Sequence, residues 1–305
     1  MFNKYLTYYS PATQFTIFCF IVSISFVLGA LVMNLYNQYS IGISSEDLST
    51  LTNISDSVSF KLKISNSLGL IFVLLFPALT FAYLAHPKPL DYLGVQKKIQ
   101  LPLFLISLLV FIVTLVGVSF VEQISRHIPG FSADGNDRYD TMAKAMLKGS
   151  SMKDFLMNTF AICVIPSIAE ELFFRACLQQ VLLNWIRKNP YFSVVLVAIL
   201  FSAFHGQMSG FFPRFYLGLI LGFIYFFTGN IIYTIIIHFL NNFITVFFSY
   251  LKELKWVQFD IYENADVNIY LGALGFILSI ATLYFLYKKR EPFKLFQMGN
   301  NDIYI

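Results

Sequence analysis

Six residues of this 305-residue chain have types and spacings suited to chemistry: Glu170, Glu171 and Arg175 in one stretch, His205 in a second, and His238 with Asn242 in a third. The first stretch runs Pro166-Ser167-Ile168-Ala169-Glu170-Glu171-Leu172-Phe173-Phe174-Arg175, inside a segment from Phe155 to Ile186 that is otherwise apolar enough to cross a bilayer. An ionisable side chain at membrane depth costs about 2.5–3.5 kcal/mol on insertion scales, so three of them this close together must face a protein interior or a wet cavity. At about 100° per residue, Glu171 and Arg175 lie i, i+4 on one helix face and can pair, whereas Glu170 points about 140° away from Arg175 and is left without a local partner. The bland alternative is a neutralised cluster that pins helices together.

His238 and Asn242 are one helical turn apart, so both can be directed at a single atom held between helices; Asn241, at i+3, is the less aligned alternative. His205 closes a short apolar segment and can approach from another side. Three reaction classes fit this set. In one, Glu170 with His205 activates water as a general base while a His and an Asn donate to the oxyanion of a peptide carbonyl, with no metal. In another, Glu and His residues bind zinc and the other Glu is the base, although no HExxH spacing is present. The third is a proton-coupled transporter with a carboxylate and histidine relay. No serine or cysteine nucleophile adjoins these histidines, which disfavours covalent catalysis.

The elements that must hold such a site are membrane helices. The chain is 57% hydrophobic and 12% charged, with a mean hydropathy of +0.67; soluble domains carry about 25% charged residues. The net charge of +4 is dispersed, with no basic run or aromatic-basic ladder, so nucleic acid is not an expected partner. Cys19, Cys163 and Cys177 all fall in apolar segments without a CxxC spacing and read as buried apolar residues. The first apolar run, from near Gln14, is long and has no small-residue cleavage site, which predicts a retained span.

Eight spans are predicted, at about Phe15–Tyr36, Ile64–Ala85, Leu101–Val121, Phe155–Ile186, Tyr191–Gly206, Phe212–Phe227, Ile231–Tyr250 and Asn268–Tyr287. A polar loop with Glu46, Asp47 and Asp56 follows the first. Between the third and fourth, Pro129-Gly130 and Asp134-Gly135 mark turns, and Asp137–Gly149 has Met142, Met146 and Leu147 at amphipathic spacing, as for a short interfacial helix. Gly218 and Gly222 form a small-xxx-small face for close packing. An amino terminus in the cytoplasm puts Lys88, Lys97, Lys98, Arg187, Lys188, Lys288, Lys289, Arg290 and Lys294 inside. No internal repeat or separate soluble domain is visible. The chain divides into three spans with an amphipathic connector (1–154), a core (155–250), and an acidic loop, last span and basic tail (251–305).

Glu-Glu-x-x-x-Arg (Glu170, Glu171, Arg175), Phe-x-x-x-His (Phe201, His205) and His-x-x-x-Asn (His238, Asn242), in this order on successive core spans, resemble the CPBP family of intramembrane endopeptidases, which includes CAAX prenyl endopeptidases and bacterial proteins linked to bacteriocin processing and self-immunity. The resemblance covers roughly Phe155–Tyr250. It implies a glutamate-dependent intramembrane protease in which Glu170 and His205 act on water, His238 and Asn242 form the oxyanion hole, and Glu171 and Arg175 orient the site or hold substrate backbone. Ala176 stands where the family often has glycine, a departure that concerns local packing. The fold expected is all-α: a polytopic bundle of about eight transmembrane helices with a buried polar site, in a bacterial cytoplasmic membrane with both termini cytoplasmic. The expected partners are the lipid bilayer and a membrane-associated peptide or protein substrate, and no cofactor is expected, with zinc as the alternative. A non-catalytic immunity or scaffold protein of the same family and a proton-coupled transporter are the other functions carried forward.

Overall fold

The computed structural model describes residues 6–42, 55–131, 138–258, 267–290, 293–295 and 303–304. Glu46, Asp47, the Asp134-Gly135 turn and most of the acidic loop after Glu253 lie outside them. Helix α1 (Pro11–Ile41) is followed by α2 (Asp56–Ala85), α3 (Leu101–Ser125), α4 (Arg138–Leu147), α5 (152–185), α6 (Pro190–Phe204), α7 (Phe211–Thr228), α8 (Ile231–Glu253) and α9 (Ile269–Lys288). At the carboxyl end Lys294–Leu295 (β1) pairs antiparallel with Ile303–Tyr304 (β2). This is an all-α membrane protein. Among the described residues six helices, α1, α2, α3, α7, α8 and α9, are long and apolar enough to cross a membrane. The expected figure of about eight spans adds α5, whose apolar run is interrupted by charge, and α6, which is apolar but only 15 residues long.

Capping explains where the helices begin. Ser10 accepts from the Thr13 amide at 3.2 Å ahead of Pro11, so α1 starts before the apolar run that begins at Phe15. Ser151 and Asp154 form a reciprocal capping box, and α5 accordingly starts at Met152 rather than Phe155.

Helix α5 is the axis of the molecule: residues 169–184 are all buried, enclosed by α1, α2, α6, α7 and α8. Large apolar side chains of α1 and α9, among them Phe20, Phe26, Leu271 and Ile277, face outward, as lipid contact requires. Close backbone approach ties the periphery together where α9 crosses α3: a Cβ on Gly275 would stand 2.8 Å from the Gly117 amide nitrogen.

The amphipathic segment forms α4, with Leu147 buried. Its carboxyl end is held by three buried side chains from the helices on either side of it in sequence. Ser59 donates to the Ala145 carbonyl at 2.6 Å, Asn158 to Leu147 at 2.9 Å, and Lys63 to Lys148 at 3.2 Å. These groups take carbonyls that a helix end leaves unpartnered. Leu147 then packs with Cys163 and Val246, one turn beyond Asn242.

Candidate active site

Helix α5 does not keep α-helical bonding throughout. Thr159–Val164 and Glu171–Gln179 are wound in wider, i→i+5 turns, a form found often where helices carry functional residues. The Glu171–Arg175 pair expected from i, i+4 spacing is present nonetheless, with Nη1 2.9 Å from Oε1 and both side chains fully buried. Arg175 also donates from Nη2 to the Gly218 carbonyl at 3.2 Å, and its guanidinium lies 4.4 Å from the Phe201 ring centre. One turn on, Gln179 donates to the Gly222 carbonyl at 3.0 Å.

Those two glycines expose the α7 backbone to α5 and admit α6. A Cβ on Gly218 would sit 2.9 Å from Phe201 Cδ1, and one on Gly222 would sit 2.8 Å from Val194 Cγ1 and 3.2 Å from Gln179 Oε1. The small-xxx-small face therefore receives hydrogen bonds from the site helix as well as permitting close packing. Sequence reasoning identified the face but not its acceptors, since nothing in a glycine spacing says which side chain will reach the carbonyl.

The second carboxyl group belongs to Glu170, which is 5% exposed. Its Oε2 lies 3.8 Å from His238 Nε2 and 4.0 Å from His205 Nε2, beyond direct hydrogen-bond range, and makes no hydrogen bond among the described residues. The carboxylate that sequence leaves without a local partner is thus the one that stands between both histidines, while Glu171 meets His238 alone.

Each imidazole is oriented from its far nitrogen. His238 Nδ1 is 2.9 Å from Glu171 Oε1, and His205 Nδ1 is 2.9 Å from the Phe201 carbonyl. A carbonyl, or a carboxylate held by arginine, can only accept, so both Nδ1 atoms carry protons and each ring turns its Nε2 toward Glu170. His205 sits just past the end of α6, with its side chain 30% exposed, where Gly206 takes a left-handed turn at φ +68°. Ser202 fastens this turn to the Phe211 carbonyl at 2.5 Å, and Arg214 holds Gln207 through Oε1 at 2.8 Å and through the carbonyl at 2.5 Å.

Asn242 stands on the same face of α8 as His238. Its Nδ2 donates to the Ile162 carbonyl at 3.0 Å, and its Oδ1 accepts from Asn241 Nδ2 at 3.2 Å. Three of the six residues singled out by sequence thus lie on α5, and the other three reach it from α6 and α8: His205 and His238 at Glu170, and Asn242 at Ile162. The Ile162 contact was not foreseeable from the motifs, although Pro166 carries a trace of it: proline has no N–H for the carbonyl four residues back.

Among the described residues, no group of three or more His, Cys, Asp or Glu side chains is arranged to hold a metal ion. A family model described as Rce1-like, type II CAAX prenyl endopeptidase Rce1-like, matches residues 152–244, and this match supports the CPBP/CAAX protease-like family that the three motifs resemble. No curated protein and no solved structure matches the chain. The matched segment begins with α5 and ends two residues after Asn242, so it encloses every residue of the site.

Proposed function

From a core that matches a CAAX protease-type intramembrane peptidase family, we propose that this protein hydrolyses a peptide bond of a membrane-associated protein or peptide, using water activated by Glu170 and His205. The observation that carries the reading is the placement of Glu170 Oε2 opposite two imidazole Nε2 atoms at 3.8 and 4.0 Å. A water bridging Glu170 and His205 donates one proton to each, which leaves its lone pairs directed at a carbonyl carbon. Glu170 takes the proton as attack proceeds, and the same group returns it to the leaving amine.

The oxyanion is stabilised from α8. Asn242 has a second Nδ2 proton beyond the one given to Ile162. His238 can donate from Nε2 only as an imidazolium, because its Nδ1 proton is already on Glu171; that charge is matched by the surplus of two carboxylates over one guanidinium in the site. Glu171 and Arg175 hold His238 and the α5–α7 contact in place.

The zinc reading draws on the same convergence of Glu170 with two Nε2 atoms, and the scaffold and transporter readings on its burial. One experiment separates them. Detergent-purified wild type and Glu170→Gln are given a fluorogenic farnesylated CAAX peptide, its unprenylated counterpart and an apolar peptide library, each with and without a strong chelator. The expected result is chelator-resistant cleavage by wild type and a loss of about 10²–10⁴ in rate for Glu170→Gln. Stoichiometric zinc with chelator-sensitive cleavage would overturn the mechanism, and a fully functional Glu170→Gln in cells would overturn the enzyme assignment.

The positive flanks support a cytoplasmic location for both termini.

A further inference from the structure

We propose that Asn241 is a positioning residue that sets the amide of Asn242, with Pro166 preparing the other anchor; this rests on the reading of Asn242 as an oxyanion donor. A primary amide turned by 180° exchanges a donor for an acceptor, so Asn242 is useful to a developing oxyanion only in one of its two orientations. Two contacts select that orientation. On one side is the Ile162 carbonyl, 3.0 Å from Nδ2, which accepts and cannot donate. On the other is Asn241, whose Nδ2 donates to Asn242 Oδ1 at 3.2 Å. Turning the amide over would set two oxygens against each other at Ile162 and, with Asn241 oriented as it is, two NH₂ groups against each other at Asn241.

The chain prepares the Ile162 anchor by a covalent device. Pro166 has no amide hydrogen, so it cannot take the Ile162 carbonyl in an i→i−4 bond. The wider turn over Thr159–Val164 lies directly before it. Ile162 itself lies within that turn, and its carbonyl accepts from a side chain of α8. Asn241 stands one residue, about 100°, around the helix from Asn242, and its amide meets the site at Asn242 Oδ1.

The test uses the full-length protein and the farnesylated CAAX peptide, with kcat, KM and thermal unfolding measured for each variant. Asn241→Asp replaces the donor by an acceptor facing Oδ1 and is expected to lower kcat about tenfold or more, toward the 10²–10³ expected of losing an oxyanion donor, with KM little changed. Asn241→Ser, which restores a hydroxyl donor, is expected to recover part of the rate. Pro166→Ala returns an amide N–H to α5, so it should leave unfolding temperature unchanged or raised while kcat falls several-fold. In an Asn242→Ala background neither Asn241→Asp nor Pro166→Ala should lower kcat further. A stability loss with unchanged kcat, or an Asn241→Asp effect that persists in full in the Asn242→Ala background, would overturn the positioning role. Wild-type turnover in Asn242→Ala itself would instead remove the reading on which the proposal rests.

Discussion

Glu171 and His238 lie 67 positions apart in the chain and share a 2.9 Å hydrogen bond in the interior of the bundle, with Glu171 fully buried. The same oxygen, Oε1, is 2.9 Å from Arg175. One carboxylate oxygen thus fixes the ring of a histidine from α8 and neutralises a guanidinium on α5. Its loss acts on chemistry and on folding at once.

The folding side is read from Arg175. Removing one partner of a desolvated ion pair leaves an uncompensated charge, which costs about 3–5 kcal/mol. Arg175→Ala is expected to reduce the amount of monodisperse protein recovered from membranes and to lower its unfolding temperature. Arg175→Ala/Glu171→Gln should regain part of that loss, because a neutral amide in the same place can still accept from His238. Normal accumulation of the single variant would show that the pair is not desolvated in the membrane.

The chemical side is read from Asn242. Asn242→Ala should lower turnover by about 10²–10³ with little change in KM, because the donor acts on charge that develops only in the transition state. Equal loss in kcat/KM and in substrate binding would mark Asn242 as a binding residue instead.

The glycines of α7 give a pair of variants that differ in kind. Both Gly218→Ala and Gly222→Ala overpack a helix contact, at a cost of about 1–3 kcal/mol. The added methyl at 218 meets Phe201, whose ring packs against Arg175 and stands 5.2 Å from the His205 ring centre, whereas the one at 222 meets Val194. At matched loss of unfolding temperature, Gly218→Ala should therefore lose more activity. Equal residual activity in the two would separate Phe201 from the placement of His205.

Topology is checked by single-cysteine labelling in intact cells. Lys98 and Lys289 are expected on the cytoplasmic side, and positions in the 252–267 loop on the opposite side. Reaction of both sets from the same side would exclude eight crossings.

Much of this candidate site is legible in the sequence, for a physical reason: charge and polarity at membrane depth are costly enough that Glu170, Glu171, Arg175, His238 and Asn242 stand out against an apolar background. The Glu171–Arg175 pair follows from helical spacing alone. What sequence could not supply were contacts made by backbone carbonyls, since Gly218, Gly222 and Ile162 accept through atoms that every residue has. The start of α5 was misplaced by three residues because hydropathy does not see a capping box, and Ser151 with Asp154 outweighs the polarity of the first turn.

Ser59 and Lys63 precede α4 in the chain and Asn158 follows it, yet all three bind its last carbonyls. During synthesis α4 therefore leaves the ribosome before one of its clasps exists. The helix can settle only after α5 has been threaded beside α2, so its backbone amides report completed assembly: slow hydrogen exchange along 142–147 is a signature of correctly inserted protein, obtainable without any substrate.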